Sequence, residues 1–124
     1  MTLVDTSVWI DYLRRGSARL VELLESNSVL VHPFIIGELA CGNLINRQQM
    51  IADLERLPRA VVASDAEVLA FIEANQLMGR GVGYIDMHLL ASVHLSPGAQ
   101  LWSRDKKLAA LVDLTPSSPL LVQQ

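Results

Sequence analysis

The stretch Thr2-Leu3-Val4-Asp5-Thr6-Ser7-Val8-Trp9-Ile10-Asp11-Tyr12-Leu13 changes its period at one residue. Leu3 and Val4 form a short apolar strand that stops at Asp5, and Val8, Trp9, Tyr12 and Leu13 then recur at helical spacing. Strand, acid, helix is the order in which an open α/β sheet places its chemistry, because ligands sit beyond the carboxyl ends of the strands.

The same alternation continues along the chain. Ser17 can cap a second helix carrying Leu20, Val21 and Leu24, and Ser28-Val29-Leu30-Val31-His32 reads as a second strand ended by Pro33. Helical periodicity covers 34–45 and again 48–57, where Pro58 breaks it, and 60–63 reads as a third strand. Ser64 with Glu67 three residues later has capping-box spacing and opens a helix that runs on to Leu77 and Met78. Gly79-Arg80-Gly81-Val82-Gly83 is a hinge, 84–95 a further helix, Pro97-Gly98 a turn. Ala99-Gln100-Leu101-Trp102 reads as a fourth strand leading into a helix over 104–111, with one more short strand at most in the tail and Pro116 to Pro119 as a terminal loop. Strands alternating with helices predict an α/β domain with a mainly parallel sheet and right-handed crossovers.

Composition bounds the function. The 124 residues, about half of them hydrophobic, suffice for one domain with a genuine core. A net charge of -3 means that nucleic-acid binding would need a local basic patch. The single Cys41 forms no internal disulfide, and among Leu39, Ala40 and Leu44 it reads as a small buried hydrophobe in a protein of the reducing cytoplasm. No signal peptide is expected, and the apolar runs are too short to span a bilayer.

Four acids stand out: Asp5, Glu38, Asp86 and Asp105. Asp5 and Asp105 have an ordinary explanation as helix caps or first-turn acids. Glu38 has Phe34, Ile35, Cys41 and Gly42 three and four positions away, and Asp86 shares its side of a helix with Leu89, Leu90 and Val93, so both carboxylates fall on apolar stripes. A buried carboxylate must protonate, pair or bind a metal, since leaving it unpaired costs several kcal/mol. An oxygen-only donor set suits Mg2+ or Mn2+ rather than Zn2+. His32, His88 and His94 read as surface or half-buried residues, and the last two, six apart on one helix, cannot act as a pair. Carboxylates holding such an ion suit phosphodiester hydrolysis, with 5'-phosphate and 3'-hydroxyl ends, whereas no paired imidazoles are present for acid/base cleavage.

The segments Val4-Asp5-Thr6-Ser7-Val8-Trp9-Ile10-Asp11, Glu38-Leu39-Ala40-Cys41-Gly42, Asp86 ahead of Leu89-Leu90-Ala91, and Ser103-Arg104-Asp105 resemble the ordered motifs of PIN-domain nucleases, over a span from Val4 to Leu108. The length and the Val-Asp-Thr-Ser opening are similar to VapC, the toxins of VapBC toxin–antitoxin pairs. The resemblance implies a single PIN-like nuclease domain over 1–124, a three-layer α/β/α sandwich with a mainly parallel sheet of four to five strands, and Mg2+-dependent (or Mn2+-dependent) endoribonuclease activity on RNA. It also implies a homodimer and a hetero-oligomer with a VapB-like antitoxin whose tail lies along a groove of the toxin. Asp5, Glu38 and Asp86 match the family's first three acids and Asp105 the fourth, as catalytic and metal-holding residues. Thr6 and Ser103 match the hydroxyl residues beside the first and fourth acids, where they would orient carboxylates or water. The chain departs from the pattern at Lys107, where many PIN domains carry a further acid, so that a second metal would arrive only with RNA.

For substrate, Arg80, Arg104, Lys106 and Lys107 could form a positive rim around the acids, and Arg14, Arg15 and Arg19 a second basic cluster for RNA or an acidic partner. The 79–83 hinge lacks the Lys and Ser/Thr of a nucleotide-binding P-loop. Two other classes remain open: a phosphoacceptor receiver-like signalling domain, which would need a central-strand Asp and has only Asp53 in a helical context, and a PIN-like module that binds RNA or protein without cutting.

Overall fold

The structure is a computed structural model that describes residues 1–115 and 120–122. The expected 116–119 loop lies outside the described residues. The first strand, β1 (Thr2–Val4), is wholly buried, and Asp5 turns the chain at once into α1 (Thr6–Arg15). Asp5 is the N-cap, in extended backbone, and its side chain accepts from the Thr6 N–H. Gly16 ends that helix at φ 76, a left-handed value that a side chain would strain, and Ser17 then caps α2 (Ala18–Glu25) by accepting from the Leu20 N–H.

The chain continues as β2 (Val29–Leu30), α3 (Pro33–Ala40), α4 (Arg47–Glu55), α5 (Asp65–Asn75), α6 (Tyr84–Leu95), β3 (Gln100–Ser103), α7 (Lys106–Val112) and β4 (Leu120–Val122). The strands pair in parallel in the order β2-β1-β3-β4, with Leu3 opposite both Leu30 and Leu101. This is the parallel α/β arrangement expected from the alternation. Leu3, Leu30 and Leu101 join Leu20, Ile35, Leu89 and Leu108 in one core, each contributing about 1.5–3 kcal/mol by leaving water. In α6, Met87 to Val93 are all buried, so that helix runs through the interior rather than lying on it. No helix among the described residues is long and apolar enough to cross a membrane.

Several expectations need correction. Residues 60–63 form no strand: only an isolated bridge, Val31 to Arg59, extends β2. The Val61 and Ala63 N–H groups go instead to Ser96 Oγ (2.9 Å) at the C-cap of α6 and to Ser92 Oγ (3.4 Å) on α6. A strand's donors are thus taken by side chains of a helix, and no ladder can form. The helix expected over 34–45 stops at Ala40, which leaves Cys41 exposed rather than buried. His32 and His88 are buried, not at the surface: His32 is the N-cap of α3, its Nδ1 accepting from the Phe34 N–H at 3.0 Å, and His88 Nε2 lies 3.0 Å from Asp65 Oδ1. Only His94 is exposed.

Candidate active site

Asp5 closes β1 and Ser103 closes β3, and these neighbouring strands deliver both side chains to the same end of the sheet. The buried Asp5 carboxylate accepts three hydrogen bonds: from the Thr6 N–H to Oδ1 at 2.7 Å, and from Ser7 Oγ (2.9 Å) and Ser103 Oγ (2.7 Å) to Oδ2. Ser103 Oγ also accepts the Asp105 N–H at 3.0 Å, and Ser7 Oγ the Arg104 N–H at 3.1 Å. Two hydroxyls therefore tie the β1–α1 corner to the β3–α7 corner. Asp105 is the N-cap of α7, its Oδ1 accepting from the N–H groups of Lys107 (2.9 Å) and Leu108 (3.4 Å). The ordinary cap reading of Asp5 and Asp105 is thus correct as local structure, and it is compatible with a site because Ser103 Oγ bonds both the Asp5 carboxylate and the Asp105 N–H.

Glu38 and Asp86 come from helices. Thr6 Oγ1 donates to Glu38 Oε1 at 2.6 Å, which fastens α3 to the start of α1. Glu38 itself is exposed, contrary to its expected place on a buried stripe: Ile35, Ile36 and Leu39 face the core, while Phe34, Glu38 and Cys41 do not. Asp86 sits in the first turn of α6, half-buried, after the uncapped start at Gly83. Burial pushes its carboxyl up from 3.8 to about 6, and the negative charges of Asp5, Asp105 and Glu38 push in the same direction. Asp86 therefore feels the other three acids named from the sequence, each carried by a separate part of the fold. They do not form a closed cage, since among the described residues no three His, Cys, Asp or Glu side chains are gathered closely enough to grip an ion.

The four basic residues read as a rim divide between two cavities. Arg80, Lys106 and Lys107 line one of about 380 Å³, with the Lys107 side chain lying over Gly81 and Arg80 Nε donating to the Gln76 carbonyl at 3.0 Å. Arg104 lines another of about 220 Å³, its Nη1 3.3 Å from Asp11 Oδ2. Asp11 is also held by Arg15, whose hydrogen bond keeps its carboxyl below the usual range, with Arg104 adding to the effect. Ser7 was not singled out in the sequence, although a second hydroxyl directly after the acid in Asp5-Thr6-Ser7 was the available signal. The Asp11–Arg104 pair spans most of the chain and leaves no local trace.

Beside Glu38 a third cavity of about 320 Å³ is walled by Ile10, Leu13, Leu39 and Ile45, with Arg14 at its edge. Asp53, the one acid that could have served a receiver-like design, lies inside α4 and pairs with Arg56. That placement leaves the receiver reading without a phosphoacceptor.

The chain matches the PIN domain over residues 2–114. It is 47% identical over 110 residues, 89% of both chains, to Ribonuclease VapC32 of Mycobacterium tuberculosis strain CDC 1551 / Oshkosh, and likewise to Ribonuclease VapC32 of strain ATCC 25618 / H37Rv.

Proposed function

The chain belongs to the PIN-domain family as a VapC-type ribonuclease, and from that premise we propose that it is a Mg2+- or Mn2+-dependent endoribonuclease acting as the toxin of a toxin–antitoxin pair. One observation carries the site: hydroxyls join the acids, Ser103 Oγ bonding Asp5 and the Asp105 N–H and Thr6 Oγ1 bonding Glu38, while Asp86, raised to about 6 chiefly by burial, is pushed further by those three charges, which a divalent cation would relieve.

The donor set fits the ion. Mg2+ keeps several of its waters and takes one or two carboxylates together with substrate phosphates, so an open set of four acids suits it better than it would suit a closed structural site. Asp5, Glu38, Asp86 and Asp105 would hold it, and bound there it supplies Lewis acidity toward water and the scissile phosphate. Ser103 and Ser7 fix the orientation of Asp5, and Thr6 fixes that of Glu38, before any ligand arrives. Asp86 holds a proton below about 6, which weakens cation binding in acid. Arg80, Arg104, Lys106 and Lys107 would draw RNA phosphates to the edge of a centre that alone would repel them.

The same reading includes the three-layer sandwich with four to five strands, the homodimer, the cytoplasmic location and a VapB-like antitoxin. The apolar cavity beside Glu38 is the seat proposed for the antitoxin's tail, with a basic side chain of that tail reaching Glu38. The decisive experiment is RNA cleavage in Mg2+ or Mn2+ by the purified chain beside Asp5→Asn and Asp86→Asn variants. Cleavage by the chain and its loss in both folded variants is expected, with 5'-phosphate and 3'-hydroxyl ends. Equal activity in all three, or 2',3'-cyclic phosphate ends, would reject the site or the metal route.

A further inference from the structure

We propose that the cavity between α1, the start of α2 and β3 is a subsite for an RNA phosphate flanking the scissile one, with Arg19 as its principal cation and Arg104 as its link to the acids. The inference rests on the ribonuclease reading and adds to it a residue outside the acidic centre.

The cavity has a volume of about 220 Å³ and is lined by Arg19, Arg104, Asp11, Ser17 and Trp102 among others. At about 30 Å³ per water it has room for a phosphate group and part of its hydration. Arg19 forms no ion pair with a carboxylate among the described residues. Its guanidinium stands 6.0 Å from the centre of the Trp102 ring, a contact that holds the fork while leaving N–H groups for an oxyanion. Asp11 is the acid of the cavity wall, and Arg15 and Arg104 both hold it, so two guanidinium groups share one carboxylate while Arg19 lines the same cavity. An incoming phosphate could take Arg104 from Asp11 while Arg15 keeps the carboxylate neutralised.

Connection to the centre is direct. Arg104 lies between Ser103 and Asp105, and its N–H bonds Ser7 Oγ, which in turn donates to Asp5. Arg104 thus joins the cavity, through its side chain on Asp11, to the backbone corner that carries the fourth acid. In a chain of net charge -3 whose proposed centre is built of four carboxylates, RNA needs such an offset cationic hold, because the centre itself repels a polyanion. A strand with a phosphate at every nucleotide can engage both places at once.

The test is fluorescence anisotropy of a short labelled single-stranded RNA in EDTA, where no cleavage occurs, across a range of salt. Arg19→Ala should weaken binding roughly tenfold and lower the slope of log K against log salt by about one. Arg19→Lys should restore the slope but not the full affinity, and Arg56→Ala, at the C-cap of α4 and lining neither cavity, should match the wild type. In Mg2+, Arg19→Ala should raise KM with kcat little changed. Equal affinity and salt slope for Arg19→Ala and wild type would overturn the proposal. So would loss of polyglutamate binding with RNA binding intact, which would assign the cavity to an acidic protein segment. A wild type that binds RNA through Arg19 yet cuts none in Mg2+ or Mn2+ would instead sink the ribonuclease reading and leave the subsite standing.

Discussion

Asp86 and His32 titrate in overlapping windows with opposite effects on stability. Asp86 keeps its proton up to about 6 in the folded chain against 3.8 for an ordinary carboxyl, chiefly because it is half-buried. Its contribution is fully present below 3.8 and is lost as pH rises through about 6. Asp86→Asn should therefore stabilise the metal-free protein by about 1 kcal/mol near neutral pH, after allowance for solvent screening, and the gain should fade toward about pH 4. Urea unfolding in EDTA across that range checks it; a gain independent of pH would mean that charge is not the cause. His32 runs the other way: burial lowers it from 6.5 to about 4, with the neighbouring His88 and Arg59 adding to the effect. Its contribution is present above 6.5 and lost as pH falls through about 4. His32→Asn keeps an acceptor at the cap of α3 but leaves a void, so it should cost about 2 kcal/mol near neutral pH, with a gap that narrows in acid. A gap that stays constant would remove His32 from the acid response.

At the scale of elements, the β3–α7 corner is where one hydroxyl serves two acids. Ser103→Ala deprives Asp5 of a donor and the Asp105 N–H of its acceptor, so cleavage should fall about 10–100-fold while unfolding free energy drops by about 1–2 kcal/mol. Steady-state cleavage beside urea unfolding separates the two, and unchanged cleavage would break the proposed link. Elements whose signals are local could be read directly from sequence. Ser17 and Ser64 cap α2 and α5 as their spacing predicts, Ser64 with the full capping box to Glu67, and α6 runs over the expected 84–95. The failures share a different cause. Whether 60–63 becomes a strand depends on Ser92 and Ser96, some thirty residues away, which take its N–H groups. Cys41 was misplaced because apolar neighbours say nothing of where a helix stops, and Glu38 because a stripe three and four residues wide can face a cleft as well as a core. The acids themselves stood out by residue type. Their exposure, and the partition of the basic residues between two cavities, depended on tertiary contacts with no sequence period.

Across the whole molecule, the acids occupy positions 5, 38, 86 and 105, so that only the folded chain brings them into one field. In the unfolded chain the same carboxylates are separated by long segments and have little shared affinity for an ion. A cation that binds the folded state alone stabilises it by RT ln(1 + [L]/Kd), about 2.7 kcal/mol at a hundredfold excess over Kd. For a domain of this size that corresponds to a rise in Tm of roughly 8–12 °C. The rise should be smaller near about pH 5 than near about pH 7.5, because the proton on Asp86 competes with the cation below about 6. It should also be largely lost in Asp5→Asn, where the residue that accepts from Thr6, Ser7 and Ser103 no longer carries a charge. Thermal unfolding in EDTA, Mg2+ and Mn2+ at both pH values reads all three effects. A cation-induced rise of equal size in wild type and Asp5→Asn would place the ion elsewhere on the protein and detach it from the four acids, whereas a rise confined to the wild type and growing with pH ties the cation, the fold and the acidic pocket to a single equilibrium.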